Sequence, residues 1–164
     1  MVVLDPTQFR KVCGRFATGV AVATILDEGG TPKGLTVNSF VSVSLEPPII
    51  SISIERAASI REPFLKANAF GISVLKEEDQ WLSERFAYGE GDRFEGVSWQ
   101  SGQLGVPLLR EALATMECTV ERHIEVGDHT LFLGEVRFGE TPKEGLPLVF
   151  YASAYQRLER LRDR

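Results

Sequence analysis

Gly34-Leu35-Thr36-Val37-Asn38-Ser39-Phe40-Val41-Ser42-Val43-Ser44-Leu45-Glu46-Pro47-Pro48-Ile49-Ile50-Ser51-Ile52-Ser53-Ile54 is the stretch whose reading decides the fold. It divides into strand, polar turn, Pro-Pro break and strand. Proline donates no N–H, so residues 46–48 interrupt any ladder. Residues 49–54 alternate isoleucine with serine, a period-2 pattern with one apolar and one small polar face. Thr36, Asn38 and Ser39 crowd one end of a β-prone run. Such a corner can offer hydroxyls, an amide and bent backbone N–H groups to an anion without using a formal charge.

Working outward, Asp5-Pro6-Thr7 signals a helix start. Phe9, Val12, Cys13 and Phe16 follow at helical spacing, and Gly19 ends the segment. Residues 19–26 form a small and β-branched run, the pattern of a buried strand. Asp27-Glu28-Gly29-Gly30 is a hairpin turn, with residues 33–37 returning. A short helix is expected over 57–67, entered through Ser59 and Pro63. A strand is expected over 70–75, then a helix over 77–88 with Trp81, Leu82 and Phe86 on one face. Residues 89–105 form the longest loop, broken by a short strand at 97–99. Further strands are expected over 112–122, 129–138 and 148–152, with a turn at 125–128. The tail from Tyr155 is charged and partly helical. Many short strands joined by turns, with few helices, point to an antiparallel barrel. Long helices between strands, as in a doubly wound sheet, are not found.

The 164 residues suggest one domain, 1–164. A chain of that size can bury roughly 68–70% of its unfolded surface. Net charge is −5, which argues against nucleic acid as a partner. Cys13 and Cys118 lack C-x-x-C spacing, so zinc is not expected and a reduced intracellular pair is. No signal-peptide pattern and no membrane-length apolar run occur, so a cytoplasmic location is expected.

Several short pieces in order resemble the flavin reductase-like family with an FMN-binding split barrel. They are Phe16-Ala17-Thr18-Gly19-Val20, the 34–40 segment with Ser42-Val43-Ser44 and Pro47-Pro48, and Arg93-Phe94-Glu95-Gly96. Gly127-Asp128-His129, Gly134-Glu135-Val136, Pro147-Leu148, Tyr151 and Tyr155 complete the set. The family includes small reductase components of two-component monooxygenases and flavoredoxin-type proteins. The resemblance implies a mainly β, antiparallel Greek-key split barrel with a few short helices. It implies hydride transfer from NADH or NADPH to FMN or FAD, with the choice within each pair open. A homodimer with flavin sites at the subunit interface, and an oxygenase taking the reduced flavin, are implied as well.

The same resemblance places Thr36, Val37, Asn38 and Ser39 along the flavin, and Ser53 and Ser59 near its ribityl chain or phosphate. Ser59 also precedes the expected helix, whose N-terminus would favour an anion. Each of these residues taken alone reads equally as a turn or cap residue. Ser51 is left open. Phe86 either covers the cofactor or fills the core. His129 docks the nicotinamide or is a surface turn residue; His123 is structural. Arg15 pairs with a phosphate or caps its helix, and Tyr155 meets the pocket or anchors the C-terminal segment. No G-x-G-x-x-G follows a strand, so nicotinamide would bind directly over the flavin. The rival readings are an electron carrier reduced by a protein donor, and a binding module without catalysis.

Overall fold

The computed structural model describes residues 4–159. In chain order the elements are α1 (Pro6–Cys13), β1 (Thr18–Gly19), β2 (Ala21–Leu26), β3 (Pro32–Val37), β4 (Val41–Leu45), β5 (Pro48–Glu55) and α2 (Arg61–Lys66). Then come β6 (Ala69–Val74), a 3-10 turn (Glu77–Asp79), α3 (Gln80–Tyr88), β7 (Trp99–Ser101), β8 (Pro107–Leu109), β9 (Ala114–Val126), β10 (His129–Glu140), β11 (Val149–Tyr151) and β12 (Ala154–Gln156).

Seven strands make one antiparallel sheet in the order β3-β2-β6-β9-β10-β5-β4. β3 and β4 follow each other in the chain yet stand at opposite ends of that order. Only Asn38, Ser39 and Phe40 join them. The four steps from Val37 to Val41 span at most about 14 Å. The edges of a flat seven-stranded sheet would lie about 29 Å apart. The sheet must therefore curl until its edges approach. Ser39 clasps the closure: its Oγ accepts from Ser53 N–H at 2.9 Å and donates to Ser53 C=O at 3.2 Å. No ladder joins β3 to β4 among the described residues, so the barrel stays split along this seam.

Two apolar clusters hold the sheet. The barrel interior contains Ala23, Ile25, Ile52, Ile54, Phe64, Phe70, Ile72 and Phe132. Phe64 meets Phe132 edge-on at 5.4 Å, a geometry worth about 0.5–1.5 kcal/mol beyond area burial. The second cluster lies outside the barrel, beneath α3 and the 89–112 segment, and contains Val20, Val22, Leu82, Phe86, Phe94 and Leu109. β2 supplies alternate residues to both clusters, which is why its sequence is apolar at every position but Thr24.

Several expectations are corrected. Residues 41–45 form a strand, not part of a turn: Val41, Val43 and Leu45 alternate with serines, and β4 pairs with β5 across a bulge between Ser42 and Ser44. The turn is only Glu46-Pro47, because Pro48 already pairs with Leu45 as the first residue of β5. The 57–67 helix shrinks to 61–66. The preceding residues are taken up in turns, with Ala58 N–H bonded to Glu55 C=O and Arg61 N–H to Ala58 C=O. α1 stops at Cys13, capped by Gly14, and buries no residue; Phe9, Val12 and Phe16 are exposed. Trp81 is half-exposed while Leu82 and Phe86 are buried, so these three do not share one face. The short strand in the long loop sits at 99–101 and pairs with β8, which the sequence reading did not anticipate. β9 and β10 run to a tighter turn, Gly127-Asp128. Tyr155 lies in a strand, not a helix; the rest of the expected tail helix falls largely outside the described residues.

Candidate functional site

The seam between β3 and β5 opens into a cleft of about 430 Å³, lined by Thr36, Val37, Asn38, Ser39, Ser53, Ser59, Phe86 and His129. Barrel closure brings these distant positions together. β3 ends at Val37, where the chain must cross the seam. Asn38 and Ser39 therefore leave the ladder, and their N–H groups have no protein partner among the described residues. The Asn38 amide is likewise unengaged there and exposed. β5 faces the cleft with Ser53, while Ser51 is buried.

The hydroxyls are more committed than their residue types imply. Thr36 donates to Ser83 C=O at 2.6 Å, so toward a ligand it can only accept. Ser39 spends its hydroxyl on Ser53 in both senses. Ser59 lines the cleft but caps no helix. α2 is six residues long, begins at Arg61, and has Ile60 at its N-cap without a side-chain bond. Ser59 therefore stands one residue before the N-cap of α2, not at it.

Phe86 is fully buried, its ring edge-on to Phe94 at 5.0 Å, and it lines the cleft from the core side. Gly34 makes this possible, since a Cβ there would stand 2.8 Å from the Phe86 ring. Tyr155 lies in an adjoining cavity of about 180 Å³, shared with Thr36 and Asn38. Its hydroxyl meets Ser83 Oγ at 2.8 Å, which ties β12 to α3. Arg15 is exposed, reaches Tyr151 Oη at 3.3 Å and lines neither cavity.

His129 follows the two-residue turn that Gly127 permits with φ of +59°. It opens β10 opposite Glu55, which puts it on the cleft rim. Its Nδ1 lies 2.7 Å from Asp128 Oδ1. That hydrogen bond, and the imidazole charge when present, hold the Asp128 carboxyl below the usual range. His123 packs its ring against Phe132 on the neighbouring strand.

Arg93, of the Arg93-Phe94-Glu95-Gly96 motif, also lines the cleft. Its Nε donates to Gly89 C=O at 2.9 Å, and its Nη1 to Phe86 C=O at 2.7 Å and Gly34 C=O at 3.3 Å. No carboxylate lies within 4.0 Å of it among the described residues. A half-buried guanidinium without a counter-charge suits a phosphate. The cleft therefore fits an anionic, ring-bearing group: unengaged N–H donors at the seam, the hydroxyls of Thr36, Ser53 and Ser59, an apolar wall and the Arg93 guanidinium, with Glu55 the carboxylate on its lining. The clue for Arg93 was its place beside Phe94 in a glycine-rich loop. Its contacts with Gly34 and Phe86 exist only in the fold.

Residues 13–159 match the family described as flavin reductase like domain. A probable flavin reductase of Rhizobium meliloti is 40% identical over 134 residues; the match covers 82% of this chain but only 43% of the relative, so this chain spans less than half of that protein. The NADH-dependent flavin reductase StyB of Pseudomonas fluorescens is 38% identical over 156 residues, 94% of this chain and 91% of the relative. The solved structure of the NADH:FAD oxidoreductase SgcE6 of Streptomyces globisporus, in complex with NAD and FAD fragments, superposes with a TM-score of 0.91 at 35% identity, covering 99% of this chain and 100% of that one. With a family match across nearly the whole chain and this fold around the cleft, the chain belongs to the flavin reductase like domain family.

Proposed function

We propose that this chain is an NADH-dependent flavin reductase working as a single domain over residues 1–164, with the seam cleft as its flavin site. The observation that carries the reading is the pairing, in one cleft, of unengaged backbone N–H groups at Asn38 and Ser39 with the uncompensated guanidinium of Arg93. A bound flavin would supply the hydride-accepting ring and the nicotinamide the hydride, so the bond changes belong to the two cofactors.

The protein's own residues bind and orient. Asn38 and the seam N–H groups donate to the electron-rich ring edge, where charge grows as hydride arrives. Thr36 accepts, its own hydrogen being held by Ser83. Val37 and Phe86 form the dry wall that keeps water from the ring. Ser39 and Ser53 set the geometry of the closure. Ser59 and Arg93 receive the phosphate side. His129, with Nδ1–H directed to Asp128, keeps Nε2 as an acceptor for the carboxamide N–H of the nicotinamide. Tyr155 stiffens the far wall through Ser83; the assignment of Arg15 to the nicotinamide side rests on the family resemblance alone, since it lines neither cavity.

The family includes proteins named as reductase subunits of monooxygenases, among them the Rhodococcus jostii flavin-dependent monooxygenase reductase subunit HsaB. An oxygenase as recipient of the reduced flavin is therefore part of the proposal. So is a homodimer: Phe9 of α1, Phe16 just beyond it, and Val43 and Leu45 of β4 are exposed, apolar surface of the kind that partners cover. No helix among the described residues is long and apolar enough to cross a membrane, and a cytoplasmic location is proposed.

The decisive assay is NADH oxidation in the presence of FMN or FAD, against the same flavin without protein. Strong acceleration is expected. Asn38→Ala should weaken flavin binding, read by fluorescence, by about tenfold. Oxidation no faster than with free flavin would reject the proposal.

A further inference from the structure

Arg93 sits in the loop after α3 among three acidic neighbours, Glu90, Asp92 and Glu95, all exposed. Yet no carboxylate lies within 4.0 Å of Arg93, or of Arg85 on α3, among the described residues. The loop turns its backbone, not its acids, toward Arg85. Arg85 Nε donates to Arg93 C=O at 2.7 Å, and Nη2 donates to Glu95 C=O at 2.6 Å and to Asp92 C=O at 3.1 Å. Carbonyl dipoles aimed at one point repel each other unless a cation stands there. The planar guanidinium, with donors in a fixed fork, is suited to hold them.

Arg93 is thereby fixed at both ends. Its carbonyl is held by Arg85. Its Nε and Nη1 are spent on Gly89, Phe86 and Gly34, which leaves Nη2 without a protein partner among the described residues. Arg93 lines the cleft and Arg85 does not. The loop has a separate anchor in the buried Phe94, whose ring meets Phe86 at 5.0 Å and Trp99 at 5.8 Å. Arg85 is therefore not what keeps the loop attached; it sets the direction of the backbone from which Arg93 projects.

Resting on the flavin-site reading above, we propose that Arg85 is the positioning residue for phosphate recognition: by caging the carbonyls of Asp92, Arg93 and Glu95 it aims the Arg93 guanidinium at the flavin phosphate without touching the ligand.

Equilibrium titration with riboflavin, FMN and FAD, read by flavin fluorescence, tests this. FMN and FAD carry the phosphate that riboflavin lacks. Arg85→Met, which keeps an unbranched apolar stem, should weaken FMN and FAD about tenfold and leave riboflavin within about twofold. Arg93→Met should give the same pattern. The double variant should bind the phosphate-bearing flavins no more weakly than Arg93→Met alone, because Arg85 acts through Arg93. Retained riboflavin binding shows within the same experiment that the variants fold. An equal loss for all three flavins in Arg85→Met, unchanged FMN and FAD binding, or additive losses in the double variant overturns the positioning role and leaves the flavin site standing. Wild-type protein that binds none of the three overturns the flavin-site reading as well.

Discussion

Ser39 carries one hydroxyl, and Ser53 takes both its donor and its acceptor function. A serine in a turn was legible from the sequence; a serine holding the two edges of a barrel together was not, because its partner lies fourteen positions away. Arg93 escaped for the same reason: the carbonyls that hold it belong to β3 and to the end of α3. Phe86 reads alike from the sequence whether it faces a ligand or a core, as any aromatic on a helix does; in the fold it is buried and lines the cleft. Asp79, just before α3, shows what burial does to a carboxyl. It is 7% exposed, its Oδ2 has no partner, and its side chain makes no cap bond. Burial pushes its pKa up, against an opposing pull from Lys76. A folded-state value above the unfolded one penalises ionisation in the folded protein. Its stability is thus intact below the unfolded value of about 3.9 and declines as pH rises through the folded value. Asp79→Asn abolishes this titration. Urea unfolding at a series of pH values should show a higher midpoint than wild type at neutral pH, and a flatter profile as pH rises from the unfolded carboxylate range.

At the level of elements, the strands with strong patterns were legible. β2, β5, β6 and the core of β10 fall where periodicity and β-branching put them, because each buries at least one face. Elements that bury little were misread. β4 has a period-2 alternation, but its apolar residues point outward at a sheet edge, and serines and prolines around it mimic a turn. α1 has helical spacing yet no buried residue. Both carry apolar side chains that the chain itself does not cover. Edge strands left apolar invite pairing with another chain. If β4 belongs to a subunit interface, the double substitution Val43→Lys with Leu45→Lys should turn a dimer into a monomer at micromolar concentration, read by light scattering coupled to size exclusion. Far-UV circular dichroism should stay unchanged, since neither side chain is in the core.

For the whole molecule, the short 38–40 link is the controlling feature. It is too short to cross an open seven-stranded sheet, so closure and site formation are one event. Two glycines inserted between Ser39 and Phe40 would add about 7 Å of reach and let the seam relax. Flavin affinity should then fall at least about tenfold while the β-type circular dichroism spectrum persists, and the urea midpoint should drop modestly. Unchanged flavin affinity would show that the link does not set the site. By itself the sequence determined the strand-rich composition, the hairpin turns, the family motifs and most of the residues around the cleft, because periodicity and turn chemistry are local. Only the tertiary structure decided which hydroxyls are already engaged, that Phe86 is a wall, and that Arg93 reaches the cleft. Those properties depend on contacts between segments far apart in the chain, and it is the curling of the sheet that creates them.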